Sequence, residues 1–216
     1  MLLLQIILGL ACFIILISVV WNILSRYYTI PCPTWLAWLV ERDNPFSTIN
    51  RAETIIKNLK LIPGMVVLDA GCGPGRLTIP LAHTVGPHGL VVALDIQAGM
   101  LEKVRQKANV AKLQNIIFLQ AGIGEGKLEK NKFDRAVLVT VFGEIRDKNV
   151  AMQEIFDALQ PGGILSVTEI IFDPHFNRRS TIVKYATASG FQKKESFGSC
   201  IAFTLNFEKP DHAIML

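Results

Sequence analysis

Val66-Val67-Leu68-Asp69-Ala70-Gly71-Cys72-Gly73-Pro74-Gly75 is the stretch that decides how this chain folds. A buried-strand run over residues 65–69 empties into a glycine turn. A helical stretch over about 76–85 follows until Gly86-Pro87 stops it. Glycines at such a junction let the backbone turn sharply and approach a ligand with no Cβ in the way. A second strand, Leu90–Asp95, completes a strand-helix-strand unit.

Outward from that unit the alternation continues. Upstream, Ser47 is placed to cap a helix reaching about residue 59, with Ile49, Ile55, Ile56 and Leu59 as its apolar stripe and Pro63-Gly64 as its end. Downstream come a helix near 100–113, a strand at 116–120, a loop holding Gly122, Gly124 and Gly126, and a strand at 133–140. A helix at 149–159 leads through Pro161-Gly162-Gly163 to a strand at 164–169, and a last helix at 181–188 closes at Gly190. Segments 191–196 and 200–207, joined through Phe197-Gly198-Ser199, read as an antiparallel hairpin. The expected fold is α/β: a Rossmann-like, doubly wound sheet, mainly parallel, ending in a C-terminal antiparallel hairpin and preceded by one transmembrane helix.

The whole chain has 216 residues and a net charge of +4, enough for one ordinary domain plus an appendage. Its mean hydropathy of +0.37 is carried by the first two dozen residues. Lys and Arg are interspersed with Asp and Glu, which argues against a nucleic-acid partner. Cysteines at 12, 32, 72 and 200 form no C-x-x-C pair and no zinc spacing with histidine, so neither a disulfide framework nor a metal site is expected. Unpaired cysteines suit a reducing compartment.

Residues 1–25 carry no charged side chain, and 2–20 are almost wholly apolar, about the 20 residues a membrane-spanning helix needs. A cleaved signal peptide is the rival, but the basic leader and small-x-small cleavage site are missing. Arg26, Arg42 and Arg51 follow the span, which puts the rest of the chain on the cytoplasmic side of a single-pass membrane protein. Trp21, Tyr27, Tyr28, Trp35 and Trp38 suit a headgroup layer. A short helix at 35–41 fits either that interface or the surface of the globular part. The expected organisation is therefore 1–25 as the spanning helix, 26–46 as an interfacial linker and 47–216 as the catalytic domain.

Dinucleotide enzymes space their glycines Gly-x-Gly-x-x-Gly so that a helix N-terminus can hold a pyrophosphate; here the third glycine comes one residue early. With Asp69 ending the first strand, Asp95 ending the second, Asp134 starting the fourth and Leu159-Gln160-Pro161-Gly162-Gly163 before the fifth, the chain resembles class I S-adenosylmethionine-dependent methyltransferases. Within that class it is most similar to the group containing the ubiquinone and menaquinone biosynthesis methyltransferases. The resemblance implies S-adenosyl-L-methionine as cofactor. It places the loop Gly71, Cys72, Gly73 and Gly75 against the methionine and ribose portions, Asp69 near the ammonium end, Asp95 on both ribose hydroxyls and Ile96 and Gln97 beside the adenine. Thr140, at the end of the fourth strand, is counted on the cofactor side. A carboxylate at the C-terminal end of a strand faces the crevice of an open α/β sheet, and its two oxygens suit a vicinal diol. Either Asp also serves as a solvated strand end or a helix cap. There is one departure: this family usually presents an Asp to the adenine amino group after the third strand, and Gly122 stands there, leaving backbone near Gly122 and Ile123 for that contact.

For the acceptor, Glu144, Glu169 and His175, with Asp173 close by, are candidates to take a proton near the ends of the fourth and fifth strands. Each also has an ordinary role as a cap, a surface charge or a turn residue. Arg178, Arg179, Lys184, Lys193 and Lys194 fit anionic headgroups or a solvated face. The anchor points to a small, hydrophobic or lipid-like acceptor; the oligomeric state is not readable. Two other functions stay open: an NAD-linked oxidoreductase, which also wants a glycine turn and a later acid, and a methyltransferase-fold scaffold without activity, for which Gly122 speaks.

Overall fold

The computed structural model describes residues 48–211 and the isolated positions 5, 9, 10, 12, 13, 16, 20 and 41. The elements are α1 (Ala52–Leu59), β1 (Val66–Ala70), α2 (Thr78–Val85), β2 (Leu90–Asp95), α3 (Ala98–Val110), β3 (Ile116–Gln120), β4 (Phe133–Val139), α4 (Lys148–Ala158), β5 (Leu159–Ile170), α5 (Arg179–Ala188), β6 (Gln192–Gly198) and β7 (Ala202–Glu208). They build one seven-stranded sheet in the order β3-β2-β1-β4-β5-β7-β6. β1 to β5 run parallel, and β7 is antiparallel to both β5 and β6. The order reverses between β1 and β4, and at such a switch point loops from neighbouring strands part and leave a crevice at the carboxyl edge.

Both faces of the sheet are covered, which is why β1 and β2 read as continuous apolar runs rather than alternating ones. On one face Leu68, Val92, Leu138, Leu165 and Val167 pack with Met152 and Ile155 of α4, Ile182 and Ala186 of α5, and Phe203, Leu205 and Phe207 of β7. On the other, Val67, Val91 and Val137 meet Ile55 and Leu59 of α1 and Leu81 and Val85 of α2. Ala93 packs there with Leu101 and Val104 of α3 and with Cys72. Each large aliphatic side chain buried this way contributes about 1.5–3 kcal/mol.

Several boundaries differ from the sequence expectation. α1 starts at Ala52, capped by the Arg51 backbone with no side-chain hydrogen bond; the preceding turn is occupied because the Asn50 carbonyl accepts from Arg76 Nη1 at 2.6 Å. The expected cap Ser47 lies outside the described residues. The helix expected at 100–113 is Ala98–Val110, and the chain turns away from it through Lys112 at φ +55°. Pro161-Gly162-Gly163, read as a break before a strand, sits inside β5 because Gly162 N donates to the Lys209 carbonyl and Lys209 N to that of Gly163. The hairpin strands are shifted to Gln192–Gly198 and Ala202–Glu208, with Gly198 at φ +81° where the chain turns. A single 3₁₀ turn at Phe142–Glu144, unmarked in the sequence, follows β4.

The spanning helix expected over 1–25 and the linker over 26–46 lie outside the described residues apart from the isolated positions. Among the described residues no helix is long and apolar enough to cross a membrane. Of the basic residues noted near the C-terminus, Arg179 is committed to structure: it donates to Ser196 Oγ and to the carbonyls of Gly198 and Ser199, and it lies over the Phe203 ring at 4.9 Å. Lys194 pairs with Glu208.

Candidate active site

The loop after β1 satisfies its own amides. Gly71 N and Cys72 N both donate to the Leu94 carbonyl, at 2.8 and 3.0 Å, and Gly75 N donates to the Cys72 carbonyl at 3.1 Å. Gly73 N donates to Asp95 Oδ2 at 2.9 Å, and the other oxygen of that carboxylate accepts from Gln97 N at 2.8 Å. A pyrophosphate site needs a nest of unspent N–H groups, and these four are already spent. Each Asp95 oxygen keeps a second lone pair that a hydroxyl can use. Burial pushes the Asp95 carboxyl above its ordinary range, against the pull of the two amides. Gly71 sits at φ +74°, and a Cβ there would lie 2.5 Å from the Val141 side chain, so any other residue would strain the backbone and displace Val141.

Asp69 is 3 % exposed and accepts from Thr78 Oγ1 at 2.6 Å. Burial raises its pKa to about 6, with the Thr78 hydroxyl and Arg76 opposing the rise and Asp95 adding to it. A buried carboxylate held this far above its ordinary value gains from any cation placed beside it. Cys72 belongs to the loop by its backbone and to the core by its side chain, whose thiol is pushed up chiefly by burial. Ile96 is exposed at the end of β2, and Ala121 N, donating to the Asp95 carbonyl at 3.2 Å, ties the end of β3 to the same edge. Gly122 and Ile123 continue from there.

Thr140 leaves β4 at φ +56°, a conformation that costs a β-branched residue about 1–2 kcal/mol. Its N–H donates to the Thr168 carbonyl at 2.9 Å, and the next residue, Val141, covers Gly71. Strain of this kind concentrates at functional sites.

The four acceptor-side candidates come together. Glu144, on the 3₁₀ turn, faces His175, with Oε1 3.7 Å from Nδ1, and Asp173 Oδ1 is 3.8 Å from the same nitrogen. Asp173 Oδ1 accepts from His175 N at 2.7 Å, shaping the loop after β5. Glu169, 1 % exposed, accepts from Asn177 N through Oε2 at 2.9 Å, whereas its Oε1 is buried with no partner among the described residues. Burial and neighbouring carboxylates raise both Glu144 and Glu169 to about 8. Two participants gave no sequence signal. Lys148 opens α4 close enough to Glu169 to favour its ionised form, and it lies over the Phe142 ring at 5.6 Å. Gly143 lets the 3₁₀ turn touch the loop after β5: a Cβ there would stand 1.9 Å from the His175 carbonyl oxygen.

The family profile described as a methyltransferase domain matches residues 61–204. The demethylmenaquinone methyltransferase of Lactococcus lactis subsp. lactis is 35% identical over 113 residues, covering 52% of this chain and 44% of that one. The ubiquinone/menaquinone biosynthesis C-methyltransferase UbiE of Shewanella frigidimarina is 34% identical over 128 residues, covering 57% and 50%. The chain thus spans about half the length of the curated relatives it matches. Among solved structures, a SAM dependent methyltransferase from Aquifex aeolicus superposes with a TM-score of 0.72 at 20% identity, covering 82% of this chain and 98% of that one. A phosphoethanolamine N-methyltransferase 2 from Haemonchus contortus, in complex with S-adenosyl-L-methionine, gives 0.68 at 15% identity, covering 82% and 57%. These two likenesses share the fold.

Proposed function

The chain belongs to the methyltransferase domain family, and on that premise we propose that it moves a methyl group from S-adenosyl-L-methionine to a hydrophobic acceptor of the quinone-precursor kind. The observation that carries this reading is the pairing at the switch point: a glycine loop whose amides are already hydrogen-bonded beside an Asp95 carboxylate that holds Gly73 N and Gln97 N and keeps a lone pair on each oxygen for a diol. That donor set fits an adenosyl group without phosphates and argues against NAD. When bound, the sulfonium cofactor supplies an electrophilic methyl group.

The protein's own residues do the rest. The 71–75 loop and Asp95 fix position, and Asp69 offers buried negative charge to an ammonium. Alignment of this kind supplies about 7–11 kcal/mol at best. A phenol or an activated ring carbon loses a proton as it is methylated, and the Glu144–Glu169–His175 cluster is the group to receive it. The relatives named for menaquinone and ubiquinone biosynthesis support a quinone-type ring.

The apolar N-terminal stretch supports a single-pass anchor with the domain on the cytoplasmic side. Asn50 meets Arg76, and Glu41 pairs with Lys107 at 2.7 Å, whose ammonium also donates to the Pro74 carbonyl. The chain therefore enters the domain at the carboxyl edge of the sheet, where the site opens. Ile171, Phe172 and Ile201 are exposed on that edge, beyond the end of β5. An anchored domain would turn this edge toward the lipid that holds its acceptor.

The test is to incubate membranes containing the full chain with methyl-labelled cofactor and extract the lipids. Label should enter the lipid fraction and be lost with Asp95→Ala. Label confined to soluble molecules refutes the acceptor class, and unchanged cofactor affinity in Asp95→Ala refutes the cofactor placement.

A further inference from the structure

Gly122 leaves the end of β3 without a side chain, yet the space above it is filled by a carboxylate. A Cβ built on Gly122 would lie 2.7 Å from Glu125 Oε1, and its next nearest neighbours are Cδ and Cγ of that same side chain. The turn from 122 to 125, closed by Glu125 N donating to the Gly122 carbonyl at 3.3 Å, folds the glutamate back over the glycine. Its carboxylate makes no hydrogen bond or ion pair among the described residues. We propose that Glu125 recognises the amino edge of the cofactor's adenine, doing from three residues along the chain what a side chain at position 122 would do.

The placement follows from the rest of the site and rests on the cofactor reading above. The proton-accepting cluster lies past β4 and β5, so the methyl end of the cofactor has to point that way. With the ribose at Asp95 on β2, the base at the opposite end extends toward β3, the next strand out. There Ile96, exposed, and Ile123, partly buried, offer aliphatic surface to the faces of a ring. Adenine carries an exocyclic amino group, which is a donor, and a carboxylate is an acceptor only. Hypoxanthine carries a carbonyl oxygen at that position and would set acceptor against acceptor. Sites built around such a hydrogen bond reject analogues that lack the donor.

The experiment is a calorimetric titration of the full chain with S-adenosylhomocysteine and with S-inosylhomocysteine. The unaltered protein should bind the adenosyl compound about tenfold or more tightly than the inosyl compound, the lower range for a charge-assisted hydrogen bond. Glu125→Ala should weaken the adenosyl compound by about that factor and abolish the preference, whereas Glu125→Gln, whose amide oxygen still accepts and whose NH2 can donate to a carbonyl, should abolish the preference while keeping part of the adenosyl affinity. Adding Gly122→Asp to Glu125→Ala should restore both, since removing the glutamate clears the three atoms nearest to a Cβ at 122. Equal affinity in the unaltered protein and both single variants overturns the assignment while leaving the cofactor reading intact. No binding of S-adenosylhomocysteine to the unaltered protein overturns both. Circular dichroism of each variant separates loss of the contact from loss of fold.

Discussion

Asp69→Asn should make the ligand-free protein more stable and its cofactor binding worse. Asp69 is buried, and its pKa rises from 3.8 to about 6, chiefly because burial penalises the charge. Two units at 1.36 kcal/mol each come to about 3 kcal/mol held against the folded state at neutral pH. The sign follows from proton counts: with its folded pKa raised, the native state binds more protons than the unfolded one between pH 4 and 6. Stability therefore falls as pH rises through that window, and the full penalty stands above pH 6. Asparagine cannot ionise, yet its amide oxygen still accepts from Thr78. Thermal melts of the ligand-free full chain should show Asp69→Asn above the unaltered protein by about 6–12 °C at pH 8, for a domain of this size. The difference should close by pH 4. S-adenosylhomocysteine should raise the melting temperature of the unaltered protein and leave that of the variant nearly unmoved. A variant that melts lower at pH 8, or by the same margin at both pH values, would show that Asp69 is not a strained charge awaiting a cation.

Two further outcomes probe the acceptor side. Glu144 and Glu169 are each raised to about 8, chiefly by burial, so methyl transfer should climb as pH rises through about 8 and level off above it; Glu169→Gln should lose most of kcat and weaken that limb of the profile while keeping its affinity for S-adenosylhomocysteine. A profile flat from pH 6 to 9 in the unaltered protein would remove the cluster from the mechanism. Gly143→Ala drives a methyl group to 1.9 Å from the His175 carbonyl, so the loop after β5 must move. Denaturant unfolding should show a loss of about 1–3 kcal/mol, with kcat reduced and cofactor affinity preserved; unchanged stability would mean the two turns do not touch in solution.

The order of elements was legible because each signal is local. Apolar runs in β1 and β2, glycine and proline stops, and helical stripes are properties of neighbouring residues, and they located the strands to within a few positions, apart from the start of β5. Where the reading slipped, a distant partner decided. Pro161-Gly162-Gly163 looks like a break, but hydrogen bonds with Lys209, one residue past β7, draw it into β5. Before α1, the Arg76 guanidinium reaches across the fold to the Asn50 carbonyl, a contact no local pattern announces.

The same division runs through the site. Sequence alone determined the glycine loop, Asp69, Asp95 and the absence of a carboxylate at 122, since all four are matters of residue type at a fixed spacing along one chain. It also nominated Glu144, Glu169, Asp173 and His175, each with an ordinary alternative, because nothing local says that two loops from different strands will meet. Only the tertiary structure decided that they form one cluster with Lys148 beside it, and that Gly143 permits the contact. It alone set Glu125 over Gly122. Burial, close approach and the raising of a pKa depend on what lies across space from a residue, and that information enters only when the sheet is assembled.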